Sequence, residues 1–281
     1  MAAKTTNSRL PRSFHYTFIP ERSYINALLK FVATGREGDY HEIGNLTGIP
    51  TGESTGKVPA IINYCLGMGL IVSIDKKGAI KKYELSPLGR IILLEDPYLN
   101  TDISQWLCHL NMCDIETGAD VWYNVFWANY HSIGDSFSRE SLEGVLKALY
   151  GNVKRSITGP LINMYKDDSS FKLCGALIEQ NKQIMRKSAP ITDEMIRAYA
   201  AWLINLIERN FPKQRQITIS DLDEATGWQI IAKWSNRDII ELYELLEKKN
   251  LFQVDRHMNP WIISPLINST EAYNGIYDDL I

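Results

Sequence analysis

The sequence predicts a mainly α-helical protein with small β-hairpins, which places it in the α+β class. Near each end of the 281 residues, apolar side chains recur at helical spacing, and two short strand-like runs around a polar turn follow them. The middle of the chain is helical in pattern and rich in aromatic residues. Helices followed by a hairpin are the element order of a winged helix. We therefore predict tandem winged-helix modules over 14–95 and 189–281, joined by a helical middle region over 96–188.

The N-terminal module begins with a helix predicted over 23–32, where apolar residues recur every three or four positions. A short second helix over 39–50 starts at an Asp cap and stops at Gly and Pro, and a third helix covers 55–68. Two strands over 70–74 and 79–85 follow, with a polar turn between them that ends in Gly.

In the middle region, Ser138 is predicted to cap a helix that extends to Tyr150, and a second helix is predicted over 153–165. This pair has the layout of a degenerate third helix-turn-helix. The aromatic residues of the region follow helical spacing, which favours a packed core over a cofactor site or a base-stacking surface. They are Trp106, Trp122, Tyr123, Phe126, Trp127, Tyr130 and Tyr150.

The C-terminal module follows the same plan. A strongly amphipathic helix is predicted over 192–210, and two shorter helices are predicted over 219–226 and 236–246. The runs 251–254 and 261–263 are predicted to pair as a hairpin. The two modules share this layout without a close sequence repeat.

Composition argues against several classes of protein. The 45% hydrophobic and 22% charged residues are near globular averages, unlike a disordered or fibrous chain. No apolar run approaches the roughly 20 residues that span a bilayer, and the first residues lack a signal-peptide core, so we expect a cytoplasmic protein. The four cysteines lie mostly in apolar helical patterns, and we expect them to be buried and reduced. The net charge of −3 implies that any DNA contact is local or is shared with basic partners.

The third predicted helix begins with residues that suit a DNA phosphate. The segment 47–59 resembles a phosphate-binding loop but fails its spacing, so we reject nucleotide binding there. Free backbone N–H groups, hydroxyls and a cation at a helix start still suit the DNA backbone. The residues concerned are Thr51, Ser54, Thr55 and Lys57. The alternative is an ordinary turn and helix cap.

The hairpin that follows is basic. Lys76, Lys77, Lys81 and Lys82 place four cations around the predicted wing, where a DNA backbone or minor groove would lie. These cations favour the DNA-binding interpretation of the N-terminal module. A solvated surface hairpin is the alternative.

The last predicted helix carries opposing signals. At its start, Lys233, Ser235, Asn236 and Arg237 are placed to reach phosphates or base edges. Further along come the acidic residues Asp238, Glu241, Glu244 and Glu247. A winged helix that binds protein instead of DNA is therefore an open alternative at this end.

Catalytic chemistry has little support in the residues. Asp114, Glu116 and Asp120, with His109 and His131 nearby, are weak candidates to hold Mg²⁺ or Mn²⁺. Chance proximity of acids is the favoured account of them. The sequence lacks zinc-site spacing, a nucleophile elbow, an H-E-x-x-H motif and a dinucleotide fingerprint.

Three motifs carry a family resemblance: F-H-Y-T-F-I-P-E-R at 14–22, G-I-P-T-G-E-S-T-G-K-V at 48–58 and Y-C-L-G-M-G-L-I at 64–71. They resemble the SspB-like family, a family with a domain-of-unknown-function label. Its members more often have Glu where this chain has Tyr16, so a role of that Glu does not carry over. The resemblance implies a component of a bacterial DNA phosphorothioation and antiphage defence system. It further implies a DNA-nicking activity and, as partners, an ATPase and a sulfur-inserting protein.

Two functional hypotheses follow. The first is an enzyme that nicks one strand of double-stranded DNA so that sulfur can be inserted, by metal-dependent phosphodiester hydrolysis. The second is a non-catalytic winged-helix DNA adaptor or transcriptional regulator that positions partner subunits. The resemblance favours the first hypothesis, and the lack of a catalytic signature favours the second.

Overall fold

The computed structural model describes residues 9–51, 56–75, 78–152 and 155–280. Contacts divide the chain into two compact units, residues 1–187 and 188–281. Helices alternate with small three-stranded antiparallel sheets in both units, so the mixed α and β class is confirmed. A boundary between 95 and 96, inside the first unit, stays a prediction.

The first unit opens with four helices and one sheet. Their bounds are α1 Arg22–Ala33, β1 Glu37–Gly38, α2 Tyr40–Thr47, α3 Lys57–Gly67, β2 Ile71–Asp75, β3 Lys81–Leu85 and α4 Pro87–Glu95. The predicted Asp cap is confirmed, because the Asp39 carboxylate accepts from the backbone N–H groups of His41 and Glu42 at 2.8 and 2.9 Å. Gly48 ends α2 in the left-handed conformation, with φ of 73°.

The remainder of the first unit contains a second sheet. Its elements are α5 Asp102–Met112, α6 Asp120–Tyr123, a π-helix Asn124–Ala128, α7 Tyr130–Ile133, β4 Ser136–Ser138, α8 Arg139–Tyr150, α9 Arg155–Met164, β5 Leu177–Gln180 and β6 Gln183–Arg186. The cap at Ser138 is confirmed, since its hydroxyl accepts from the Ser141 N–H at 3.1 Å. The predicted helical middle region is helical in part, but it also contains a three-stranded sheet that the sequence did not predict. Strands of three and four residues are too short to show a clear period of two in the sequence.

The second unit follows the predicted order. Its elements are α10 Ile196–Asn210, β7 Ile217–Thr218, α11 Ile219–Thr226, α12 Trp228–Ala232, α13 Asn236–Lys248, β8 Phe252–Asp255, β9 Ile262–Pro265 and α14 Ser269–Asn274. The predicted hairpin is confirmed, with Val254 opposite Ile263.

One topology occurs three times along the chain. Each sheet joins a short leading strand to the last strand of a hairpin, giving the orders β1-β3-β2, β4-β6-β5 and β7-β9-β8. In each case two or three helices separate the leading strand from the hairpin. The segment 138–165, predicted as a degenerate helix pair, lies within the second of these repeats.

The predicted aromatic core of the first unit is confirmed for Trp106, Trp122 and Phe126, whereas Tyr123, Trp127, Tyr130 and Tyr150 are only partly buried. Trp106 and Trp122 have no exposed surface, and Phe126 has 2%. The Trp122 Nε1–H donates to the Tyr165 hydroxyl at 2.8 Å, and that hydroxyl lies 2.7 Å from His109 Nδ1. Across the described ranges, no helix is both long and apolar enough to cross a bilayer.

Candidate nucleic-acid interface

The first sheet carries the described cations of the predicted N-terminal wing. Strand β3 places Lys81 opposite Gly38 and Lys82 opposite Glu37 on the leading strand β1, and both lysines are partly exposed. Arg36, immediately before β1, is exposed as well. The Lys81 ammonium donates to the Gly78 carbonyl at 2.7 Å in an exposed contact. The predicted tip residues Lys76 and Lys77 lie outside the described residues.

Helix α3, in contrast, is almost entirely enclosed. Eight of its eleven residues are buried, including Val58, Ile61 and Ile62, and its other residues are only partly exposed. Its apolar stripe is wide because it packs on α1, α2 and α5 of the same unit. No described residue of α3 is fully exposed, so the helix presents no open face that could enter a DNA groove.

The predicted phosphate-binding residues at the start of α3 have different surroundings in the structure. Thr51 is exposed, whereas Ser54 and Thr55 lie outside the described residues. Lys57 turns toward its own unit. Its ammonium lies 2.6 Å from the Glu21 carboxylate and 4.7 Å from the centre of the Tyr24 ring. An ammonium held by a carboxylate and a ring has lost part of its attraction for a phosphate.

In the second unit, α13 does present an exposed face. Asn236 and Arg237 are exposed at its first turn, followed by Ile240, Glu241 and Glu244. The cations and acids therefore share one face, with the cations at the N-terminal end, where the helix dipole also favours an anion.

Two other predicted residues at this end already have local roles. Ser235 is the cap of α13, and its hydroxyl and the Asp238 carboxylate close a capping box. Lys233 adopts a left-handed conformation with φ of 57°, and its carbonyl accepts from the Ser188 hydroxyl at 2.8 Å. Asn236 and Arg237 are therefore the members of the predicted set best placed for a new partner.

The hairpin next to α13 adds a cation that sequence reasoning missed. Arg256 of the β8–β9 loop lies over the Trp261 ring at 5.0 Å and pairs with Glu247 of α13 at 2.5 Å. The sequence carries only a weak signal for Arg256, because it stands in a predicted polar turn directly after the acidic residue Asp255. A groove of about 340 Å³ lies beside it, lined by Ile240 and Trp261 among others.

Charge divides unequally between the two units. Residues 1–187 hold 21 basic and 19 acidic residues, a net of +2, whereas residues 188–281 hold 9 and 14, a net of −5. The net charge of the first unit therefore attracts a polyanion at long range, whereas the net charge of the second unit repels it. Arg36 also lies in the first unit. No pattern in the sequence predicts the position of Arg36 next to this sheet, because a two-residue strand such as β1 has no readable period.

The weak catalytic candidates hold structural positions. The Asp114 carboxylate accepts from the N–H groups of Glu116 and Thr117 at 2.9 and 2.8 Å, which stabilises the turn after α5. Asp120 accepts from the Tyr150 hydroxyl and lies 3.5 Å from Arg9 Nε. Glu116 is exposed.

These side chains do not fit a bound divalent cation. Within the described residues, no three His, Cys, Asp or Glu side chains gather as a metal site requires. Burial, assisted by the Arg186 charge, lowers the pKa of His109 to about 3, and its Nδ1 is bonded to Tyr165.

The four cysteines are buried free thiols, as predicted. Burial raises the pKa of the Cys65, Cys108 and Cys113 thiols above their ordinary range and raises that of Cys174 to about 12. A nucleophilic cysteine needs an exposed, electropositive site that favours the thiolate. None of these four positions provides one.

Comparison with known proteins identifies the fold. No protein-family model and no curated protein matches the sequence. Among solved structures, a magnesium ion-bound crystal structure of SspB superposes with a TM-score of 0.68 at 17% identity, covering 97% of this chain and 88% of that one. A second SspB crystal structure gives the same TM-score and coverage at 15% identity. The chain therefore has an SspB-like fold, and the resemblance predicted from residues 14–71 is confirmed at the level of the fold.

Proposed function

We propose that this chain is a DNA-contacting, non-catalytic component of a phosphorothioate modification and antiphage defence system. The observation that carries the proposal is the first sheet, where Lys81, Lys82 and Arg36 lie together on the unit of net positive charge. The SspB-like fold supports the assignment to such a system.

In this proposal, each repeat of leading strand, helices and hairpin is a winged-helix module. The order of the strands and helices supports this interpretation. The first module would contact DNA through its wing, because helix α3 is buried whereas Lys81 and Lys82 of the hairpin are partly exposed. Lysines of a wing suit phosphate contacts, which add affinity without selecting a sequence.

Weak binding by the isolated chain is part of the proposal. Non-specific complexes of DNA-binding proteins have dissociation constants of roughly 10⁻⁴ to 10⁻⁶ M at physiological salt, and a chain of net charge −3 belongs at the weak end. An ATPase and a sulfur-inserting protein of the same system would supply further cations. Linking two DNA footprints raises the apparent affinity without new contacts in this chain.

The test of DNA contact is the salt dependence of duplex binding, measured by fluorescence anisotropy. Replacing Lys81 and Lys82 by Ala should weaken binding and flatten the slope of log K against log salt by roughly two units, about 0.9 per lost phosphate contact. The control replaces the exposed Lys147 and Lys248 by Ala, which changes net charge equally. An unchanged slope in the folded wing variant would contradict the proposal.

Strand nicking is the second candidate function. It is favoured by the magnesium ion in one SspB crystal structure of the same fold. The described residues offer no fitting group of ligands, so we assign no catalytic side chain to this activity. Incubation with supercoiled plasmid and Mg²⁺ or Mn²⁺ decides between the candidates. Open circles that appear only with the cation would establish nicking, whereas intact plasmid at saturating protein leaves the adaptor function.

A further inference from the structure

An apolar pocket lies in the first unit, beside the hairpin of β5 and β6. Its volume is about 290 Å³. Its apolar lining comes from Ile162, Tyr165, Leu173, Leu177, Ile178 and Ile184. Leu173 and Ile178 remain 48% and 37% exposed, although both are large apolar side chains at the mouth of a concave site. Exposed apolar surface of this kind is typical of ligand-binding clefts.

The mouth of the pocket is positively charged. Three lysines line it, Lys166, Lys172 and Lys187, against one acid, Glu179. Arg139 adds a further cation, 4.0 Å from the Glu179 carboxylate. The surplus of positive charge favours an anionic group at the mouth of the pocket.

The lysines are available to a ligand. Lys172 pairs with Asp168 at 2.7 Å, but the two side chains are 53% and 88% exposed, and such pairs contribute little. Lys166 pairs with Glu179 at 2.8 Å and is 63% exposed. The Lys187 ammonium has a long contact, 3.5 Å, to the Cys174 carbonyl. A phosphate could replace these contacts at low cost, because the ion pairs of Lys166 and Lys172 are exposed and Lys187 has only a long contact to a partly buried carbonyl.

The pocket has few groups that could read the identity of a base. Tyr165 is its only lining hydroxyl within the described residues, and that hydroxyl is bonded to Trp122 and His109 in the core. The same described lining contains no Asn, Gln, Ser or Thr. A ligand is therefore held by apolar contact and charge, without the paired hydrogen bonds that distinguish bases.

We propose that this pocket binds a nucleoside monophosphate, free or as one unit of a DNA strand. The apolar side chains would contact the base and sugar, and the three lysines would hold the phosphate. Its volume lies at the lower end of ligand pockets, which suits one nucleotide better than a dinucleotide. This site is separate from the wing of the first module, so its test does not depend on the proposed function.

Calorimetry with the full chain tests the ligand class. We expect dAMP and dTMP to bind with similar dissociation constants, below about 1 mM. Deoxyadenosine and inorganic phosphate should each bind at least about ten-fold more weakly. Phosphate binding as tight as dAMP binding would overturn the proposal, because the apolar floor would then contribute nothing. A failure of both nucleotides to bind, or a large preference between them, would overturn it as well.

Variants place the ligand in the pocket. Lys172→Ala with Lys187→Ala should weaken dAMP binding about ten-fold, and Ile178→Glu should remove it by placing a charge at the mouth. The exposed Lys147→Ala is the matched control and should leave binding unchanged. Equal dAMP affinity in the wild type and the folded lysine variant would refute the site.

A short oligothymidylate then identifies the source of the nucleotide. If the lysine variant weakens oligothymidylate and dTMP binding by similar factors, the pocket holds a unit of a strand. If the variant weakens only dTMP binding, the ligand is the free nucleotide. Either result supports the site, and a variant that weakens neither overturns it.

Discussion

Two buried histidines should make the first unit lose stability between pH 7 and pH 5. Burial, with a smaller contribution from the Arg186 charge, lowers the pKa of His109 from 6.5 to about 3. Burial lowers the pKa of His15 from 6.5 to about 4. Both imidazoles are therefore neutral in the folded protein at pH 5, whereas the unfolded chain has protonated both.

The sign and the size of the effect follow from proton linkage. Below pH 6.5 the unfolded state binds more protons than the folded state, so the free energy of unfolding falls as the pH falls toward the folded pKa values. At pH 5, which is 1.5 units below the unfolded pKa, each histidine costs about 2 kcal/mol, and the pair costs about 4 kcal/mol. Above pH 6.5 the histidines are neutral in both the folded and the unfolded state, so the full stability of the unit is present.

Hydrogen exchange of the α5 amides in mild urea, followed by mass spectrometry, measures the free energy of opening of the first unit separately from that of the second unit. His109→Gln removes one titrating group and should halve the loss between pH 7 and pH 5, to about 2 kcal/mol. It also lowers the stability at pH 7, because the Tyr165 hydroxyl loses one of its two hydrogen-bond partners, so the readout is the difference between the two pH values. The exposed His41→Gln is the control and should keep the full loss. An equal pH-dependent loss in His109→Gln and the wild type would refute the reasoning.

Three further predictions concern packing, thiol chemistry and docking. A Cβ at Gly89 would lie 1.8 Å from the Leu70 carbonyl oxygen. Gly89→Ala should therefore lower the free energy of unfolding, measured by thermal unfolding, by more than about 3 kcal/mol. Gly144→Ala, in open space on α8, should instead stabilise by about 0.5–1 kcal/mol. All four thiols should resist a disulfide reagent until urea unfolds the chain, and a fast-reacting native thiol would contradict their burial. Glu241→Lys with Glu244→Lys should reduce co-purification with the partner proteins without lowering DNA affinity, and unchanged co-purification would move the docking surface elsewhere.

Local patterns in the sequence predicted most of the helices and two of the three hairpins. The spacing of apolar residues in α1, α10 and α13 is regular over several turns, and such a period can be read without knowledge of the fold. The caps at Asp39 and Ser138 were predicted for the same reason, because a capping side chain bonds within three residues of itself. Helical spacing also predicted the burial of Trp106, Trp122 and Phe126, but Trp127 remains partly exposed.

The remaining features depend on contacts between distant parts of the chain. The leading strands β1, β4 and β7 have two or three residues, and only pairing with a hairpin much later in the sequence makes them strands. Lys57 had the residue type and position of a phosphate ligand, but its partner, Glu21, lies 36 residues earlier. The sequence by itself determined most of the helical segments and the positions of the cations along the chain. Tertiary structure alone decided that α3 is enclosed and that three lysines surround one pocket, because burial and charge pairing depend on what the folded chain packs against each residue.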